Sequence, residues 1–265
     1  MTDRLPVRQT YKLFVGGAFP RSESGRTLEV EGHNVARASR KDARDAVVAA
    51  RKAVAGWSGA TAYNRGQVLY RLAETMETRT DALAAASSGR REVARAIDRV
   101  VWYAGWADKL AQVLGSSNPV AGPYFNFTLP EPTGVVAVLA PEEPALGGLV
   151  ARLAPVLVGG NAAVVVASEQ HPLAAVELAE AVATSDVPAG VVNVLTGLRS
   201  ELAPVLAGHM DVNAIDVTGA DGDRAALEEL AAENVKRVVR AKEDQSPWEI
   251  ASFMELKTVW HPIGR

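Results

Sequence analysis

From Gly134 onward the chain alternates two hydrophobic patterns. Short β-branched runs, GVVAVLA, AAVVVA, VVNVL and VNAIDVTG, are separated or followed by Ala/Leu-rich stretches at residues 146–158, 172–184, 200–207 and 223–233. The runs are continuously apolar, without the two-residue alternation of a half-exposed strand, and so predict strands buried on both faces. The longer stretches between them predict helices. Strand and helix in repetition, joined by right-handed crossovers, give a parallel sheet covered on both sides, an α/β fold. Ligands of such sheets bind beyond the carboxyl ends of the strands. The turns after Leu139, Val166, Leu195 and Val217 are therefore where a site belongs.

The first half has a helical rhythm. Ser39 and Asp42 form a capping box, and Ala43, Val47, Ala50 and Val54 follow on one face. Leu69, Leu72 and Met76 mark a second helix. Val93, Ile97 and Val101 mark a third, running through WYAGWADKLAQVLG. Trp102, Tyr103 and Trp106 lie within that pattern and are read as packing rather than a ligand cage. Before these helices, YKLFVGGAFPRSESGRTLEV alternates around Gly16-Gly17 and predicts a peripheral hairpin.

Two further segments alternate. Within the Pro/Gly-rich GSSNPVAGPYFNFTLPEPTG, the core Tyr124 to Leu129 predicts a protruding strand or hairpin. Near the end, SFMELKTVW sets Met254, Leu256, Thr258 and Trp260 against Glu255 and Lys257. So hydrophobic a terminal strand needs a partner edge.

Composition narrows the function. With 265 residues, 48% hydrophobic and 22% charged, the chain can bury a core for one large or two small domains. A net charge of −3 gives no broad attraction to nucleic acid or to anionic membranes, and neither is expected as a partner. No apolar run suggests a signal peptide or a bilayer span, so a soluble cytoplasmic protein is expected. There is no cysteine, hence no disulfide, thiolate metal site or thiol nucleophile in these residues. His33, His171, His209 and His261 show no metal-ligand spacing, and no metal site is expected. Neither a P-loop nor a nucleophile elbow occurs.

The stretches YKLFVGGAFPRSESGRT, ARKAVAGWSGATAYNRGQVLYRLAE, WYAGWADK, PEPTGVVAVLAP, LAPVLVGGNAAVVVASEQHPLAAVELAE, VPAGVVNVLTG, VTG and AAENVKRV resemble, in order, the cofactor-binding part of the aldehyde dehydrogenase superfamily. FMELKTVWHPIG resembles the C-terminal strand of complete members. The resemblance implies a Rossmann-like cofactor-binding domain over 1–247, with an N-terminal helical segment and a protruding oligomerisation hairpin at 115–131. Residues 248–265 then form a C-terminal oligomerisation strand. In complete members a catalytic domain lies between the last two motifs. Here only AKEDQSPWEI separates them, too little for a domain.

The same resemblance allows the chemistry to be checked position by position. The family attacks the aldehyde with a cysteine thiolate and transfers hydride to NAD(P), and no cysteine is present. Its general-base glutamate falls on Ala241, followed by Glu243-Asp244; a slipped alignment leaves Glu243 as a stand-in. No catalytic residue is assigned. In the family's Ala-Pro-Trp-Asn-Phe-Pro turn the asparagine helps hold the developing oxyanion, and tryptophan and asparagine fall on Glu142 and Glu143. Paired carboxylates are expected there only if no oxyanion forms and water reaches the turn, the alternative being a new general acid or base.

For the cofactor, Val166 and Ala167 replace the family's Lys-Pro, while Glu169 matches its ribose-binding glutamate. After VTG, Ala220 replaces the serine that touches the pyrophosphate. Thr218 and Gly219 remain, with Asp221 and Asp223 close by. Glu169, Thr218 and Gly219 are thus the candidate vestige of a cofactor site, and NAD(P) binding is expected to be weak or absent.

These observations imply a catalytically deficient protein acting as a structural or regulatory subunit, in a homo-oligomer or beside a full-length aldehyde dehydrogenase. The parts kept are those the family uses for assembly: the hairpin, the helix Asp223 to Glu233, and the terminal strand, which in complete members crosses to a neighbour. Tyr124, Phe125, Phe127, Phe253, Leu256, Val259 and Trp260 are the candidate assembly residues. The alternative is an NAD(P)-binding oxidoreductase subunit completed by a partner's cysteine. A decayed product with no role is disfavoured, because drift would have broken the periodicity too.

Overall fold

The computed structural model describes residues 8–220, 222, 224–242 and 245–264. A small sheet opens the chain, with β1 (Thr10–Tyr11), β2 (Thr27–Val30) and β3 (His33–Ala36) in the order β1-β3-β2. Its hairpin turns at Glu31-Gly32, both at positive φ. The turn expected at Gly16-Gly17 is present but makes only a bridge between Val15 and Ala18. Leu13 and Phe14 are apolar enough to be drawn inward instead, and Phe14 bridges Val194 of the central sheet.

A helical layer follows: α1 (Arg40–Gly59), α2 (Ala62–Thr78), α3 (Thr80–Ala85), α4 (Arg90–Ala104) and α5 (Leu110–Leu114). The capping box forms as the sequence indicates. Ser39 Oγ accepts from Lys41 N and Asp42 N, and the Asp42 carboxylate accepts from Ser39 N. The third predicted helix is shorter, for the chain turns after Ala104 before α5 begins. Its buried face is Val93, Ala96, Val100 and Tyr103, so Val101 points outward. Trp102, Tyr103 and Trp106 pack on one another with centroids 4.9 and 5.6 Å apart.

Next come β4 (Ser116–Asn118), β5 (Tyr124–Pro132), β6 (Val135–Leu139), α6 (Ala145–Val158), β7 (Ala162–Val166), α7 (Pro172–Ala183), β8 (Val192–Leu195), α8 (Arg199–Ala207), β9 (Ala214–Asp216), α9 (Arg224–Ala232) and β10 (Arg237–Val239). Five of these strands form a parallel sheet in the order β10-β9-β6-β7-β8. All five residues of β6 and of β7 are fully buried, as their continuous apolar pattern requires. One apolar cluster joins α2, α4, α6 and α7 to one sheet face; a second joins α1, α8 and α9 to the other. Burying each such Val or Leu contributes roughly 1.5–3 kcal/mol. The chain builds β6, β7 and β8 outward and then returns to lay β9 on the other side of β6. The strand order thus reverses between β6 and β9.

Short α10 (Pro247–Ala251) and β11 (Met254–Pro262) complete the described chain. The terminal strand, whose alternation calls for a partner edge, finds one in its own chain: it pairs antiparallel with β5, from Met254↔Pro132 to Pro262↔Tyr124. The hairpin segment is a nine-residue strand, long enough to serve as that edge. A three-stranded sheet, β11-β5-β4, results.

The segment joining β10 to β11 is anchored in the main body. Ile250 and Phe253 are fully buried, so the boundary expected at 247/248 falls at the start of a helix that belongs to the core. Arg152 of α6 donates from Nε to Asp216 Oδ2 at 2.7 Å and from Nη2 to Glu249 Oε2 at 2.8 Å. All three side chains are almost completely buried. The guanidinium bridges the two carboxylates and so ties α10 to α6 and the sheet.

Candidate functional site at the sheet's carboxyl edge

Where strand order reverses, the diverging loops leave a crevice for ligands. In this protein an arginine bridges the two strand exits and lines what remains of the crevice. Arg199, the first residue of α8, donates from Nη2 to the Ala140 carbonyl at 2.7 Å and from Nη1 to the Gly219 carbonyl, joining the exits of β6 and β9. Nη2 also lies 2.7 Å from Glu142 Oε1.

Glu142 is held from several sides. Ser168 Oγ donates to its Oε2 at 2.5 Å, Gln170 N to the same oxygen at 3.1 Å, and Glu169 N to Oε1 at 3.3 Å. Burial alone would raise its pKa. The Ser168 and Gln170 hydrogen bonds and the Arg199 charge outweigh that and hold the carboxyl below its usual range. Of the two carboxylates expected to meet water at this turn, only one does so freely. Glu142 is largely enclosed and neutralised by Arg199, whereas Glu143, with 79% of its side chain exposed, is solvated. His171 lies between Glu31 and Glu143, with Nδ1 2.8 Å from Glu31 Oε1 and Nε2 3.8 Å from Glu143 Oε1.

The candidate cofactor residues converge on this cluster, and all are engaged. Glu169 Oε1 accepts from Arg199 N at the start of α8. Thr218 Oγ1 accepts from Ala241 N at 2.9 Å, and Thr218 N donates to Asp216 Oδ1 at 2.9 Å. Gly219 packs against β6 so closely that a Cβ would collide with the carbonyls of Leu139 and Ala140. Ala220 N donates to Val217 O, and Val166 and Ala167 are fully buried. Ala241 is described, whereas Asp221, Asp223, Glu243 and Asp244 lie outside the described residues.

Glu142, Glu169 and Arg199 themselves line a cleft of about 370 Å³ that opens between α8 and α9, with Ala203, Pro204 and Leu227 on its apolar side. Among the described residues no group of three or more His, Asp or Glu could hold a metal ion, and no helix is long and apolar enough to cross a membrane.

The candidate assembly residues lie on the β11-β5-β4 sheet with one exception. Tyr124, Phe125, Leu256, Val259 and Trp260 are exposed, and Phe127 is half-buried. Phe253 is wholly buried, its carbonyl accepting from Thr133 N and Asn161 Nδ2, so it roots the strand in the core. Arg199 and Ser168 were not singled out from the sequence. The position of Arg199, just beyond the turn after Leu195, was the available signal.

A five-stranded parallel sheet with helices on both faces and a polar cluster at its reversal point defines a doubly wound α/β protein. The chain belongs to the aldehyde dehydrogenase family, whose family model matches residues 27–261. It is 32% identical over 251 residues to aldehyde dehydrogenase, cytosolic 1, of Elephantulus edwardii, covering 87% of this chain and 50% of that protein. Among solved structures, HpcC from Thermus thermophilus matches with a TM-score of 0.83 at 29% identity, over 88% of this chain and 48% of that one. An aldehyde dehydrogenase from Bacillus cereus, solved as an NAD+ complex, matches with a TM-score of 0.79 at 26% identity, over 87% and 50%. The chain spans about half the length of these relatives.

Proposed function

We propose that this chain does not oxidise aldehydes by itself and works by association, as a structural or regulatory subunit beside a complete aldehyde dehydrogenase. The observation that supports this most is the Glu142–Arg199 pair in the crevice. By the resemblance of this turn to the family's, a neutral donor next to it would face a developing oxyanion, and losing one such donor costs about 3 kcal/mol of barrier lowering. Glu143 offers a carboxylate there instead. The absence of cysteine removes the thiolate that the family's chemistry requires.

The family, and a neighbour solved with NAD+, point to a dinucleotide at this sheet edge. The residues present do not fit one. Glu169 is committed to Arg199 N, Ala220 N to Val217 O, and the Arg199 guanidinium to two carbonyls and Glu142. A pyrophosphate needs free cations or oriented N–H groups, and here Arg199 Nη1 and Nη2 and the backbone N–H groups of Arg199 and Ala220 already have partners.

Association is supported by the β11-β5-β4 sheet, on which Tyr124, Phe125, Leu129, Leu256 and Trp260 are each at least 42% exposed. Tyr124, Leu256 and Trp260 share one face of this sheet and Phe125 and Leu129 the other, and exposed apolar side chains clustered in this way mark interaction sites. Co-purification with a full-length aldehyde dehydrogenase from the same genome tests the reading. A mixed complex is expected, with no aldehyde-dependent NADH production by this chain alone. Turnover by the isolated chain, abolished by Glu143→Gln, would refute it.

A second reading, an NAD(P)-binding subunit completed by a partner's cysteine, draws on the cleft between α8 and α9 with its apolar wall of Ala203, Pro204, Ala220 and Leu227. It predicts micromolar affinity for NAD or NADP by calorimetry, weakened by Glu169→Gln. Heat signals indistinguishable from buffer dilution favour the first reading.

A further inference from the structure

β11 is the margin of its sheet, and among the described residues its outer edge has no strand partner. We infer that this edge pairs antiparallel with the same edge of a second copy of the chain, about a two-fold axis at Thr258. The inference goes beyond the proposed function: its occupant is a second copy of this chain, not the complete enzyme.

The backbone directions follow from two hydrogen bonds at the ends of the strand. Thr133 N donates to Phe253 O, and Ile263 N donates to Pro123 O. In an antiparallel ladder successive residues alternate in the side to which their N–H and C=O groups point. Odd-numbered residues from Phe253 to Ile263 therefore face β5. Leu256, Thr258 and Trp260 present their N–H and C=O groups to the open edge. A row of such unpaired groups is a template for another strand.

The sequence along that edge is self-complementary in one register. An axis at Thr258, the middle of the nine-residue strand, sets Leu256 opposite Trp260 of the second copy, and Glu255 opposite His261. Leu256 and Trp260 are each 58% exposed in the single chain, so each covers the other across the junction. A facing aromatic–aliphatic pair stabilises a sheet, and facing like charges destabilise it. Moving the axis to Lys257 opposes two lysines, and moving it to either Lys257 or Val259 separates Leu256 from Trp260 of the second copy. The same patch meets itself across the axis, the self-complementary contact of a two-fold dimer.

Because the chain has no cysteine, Thr258→Cys places a single thiol at the proposed axis. Opposed residues of a hydrogen-bonded antiparallel pair have Cα atoms about 5.5 Å apart, within disulfide range. The wild-type chain should sediment at twice the 28.0 kDa of one copy. T258C should form a disulfide-linked dimer on mild oxidation, whereas Leu129→Cys on β5 should not. Thr258→Pro removes an outward N–H while sparing the β5 ladder, and should give a monomer with an unchanged circular dichroism spectrum.

A wild-type monomer at tens of micromolar, or equal cross-linking at 129 and 258, would overturn the inference. A monomer that gains mass only beside a complete aldehyde dehydrogenase would also overturn it while upholding the proposed function. A self-dimer that ignores that enzyme would uphold the inference while removing the proposed function.

Discussion

Arg199 Nη2 stands 2.7 Å from Glu142 Oε1, over the gap between the exits of β6 and β9. The same guanidinium holds the carbonyls of Ala140 and Gly219, so it joins the two strand exits beside the cleft that it also lines.

Removing one half of the joint should cost more than removing both. Glu142→Ala leaves Arg199 enclosed without its carboxylate, a loss of roughly 1–3 kcal/mol. The double variant with Arg199→Met should cost less than the sum of the two single changes. Urea unfolding of the four chains provides the double-mutant cycle, and strictly additive costs would show that the pair is not coupled.

The same carboxylate sets a pH dependence. Its folded pKa lies below the ordinary 4.5, so its contribution is fully present above that value and is lost as pH falls through the folded pKa. The stability gap between the wild type and Glu142→Gln should be constant near neutrality and close on acidification below about 4.5. A gap that widens in acid would reverse the sign.

Lys236 adds a dependence of the same sign in the alkaline range. It is buried at the other end of the sheet, donating from Nζ to the carbonyls of His209 at 2.7 Å and Val212 at 2.5 Å. Burial lowers its pKa from 10.5 to about 8. The unfolded chain binds more protons between those values, so this group makes stability rise with pH from about 8 to 10.5. The rise should appear in wild-type unfolding curves relative to those of Lys236→Met, whose profile lacks it.

The buried cluster under α10 predicts a larger effect. Arg152→Met leaves the Asp216 and Glu249 carboxylates buried without the cation that bridges them and should cost about 3–5 kcal/mol, read as a lowered urea midpoint. A cost below about 1 kcal/mol would mean that water enters the cluster and satisfies the carboxylates.

Much of the fold was legible because burial on both faces writes itself as uninterrupted Val/Ala runs; β6, β7, β8 and β9 fall inside the stretches so marked. β10 was not, since a three-residue edge strand beginning with Arg237 has no length in which to show a period. The outward turn of Val101 was missed because Val100 and Val101 are equally apolar, and only packing against α2 and α6 selects between them. The turn carrying Glu142 was found by the rule that sites lie beyond strand ends. Its partner was not, because Arg199 is 57 residues away and a lone arginine before a helix usually remains in solvent. The alternation of β11 was likewise visible, whereas its partner strand, more than a hundred residues earlier, depended on the assembled sheet.

Native mass spectrometry, on this chain alone and on the chain co-expressed with a complete aldehyde dehydrogenase from the same genome, tests assembly without catalysis most directly. Mixed assemblies in which this subunit carries no dinucleotide are the predicted result. A subunit that stays apart from the enzyme and retains one NAD or NADP per chain would contradict it.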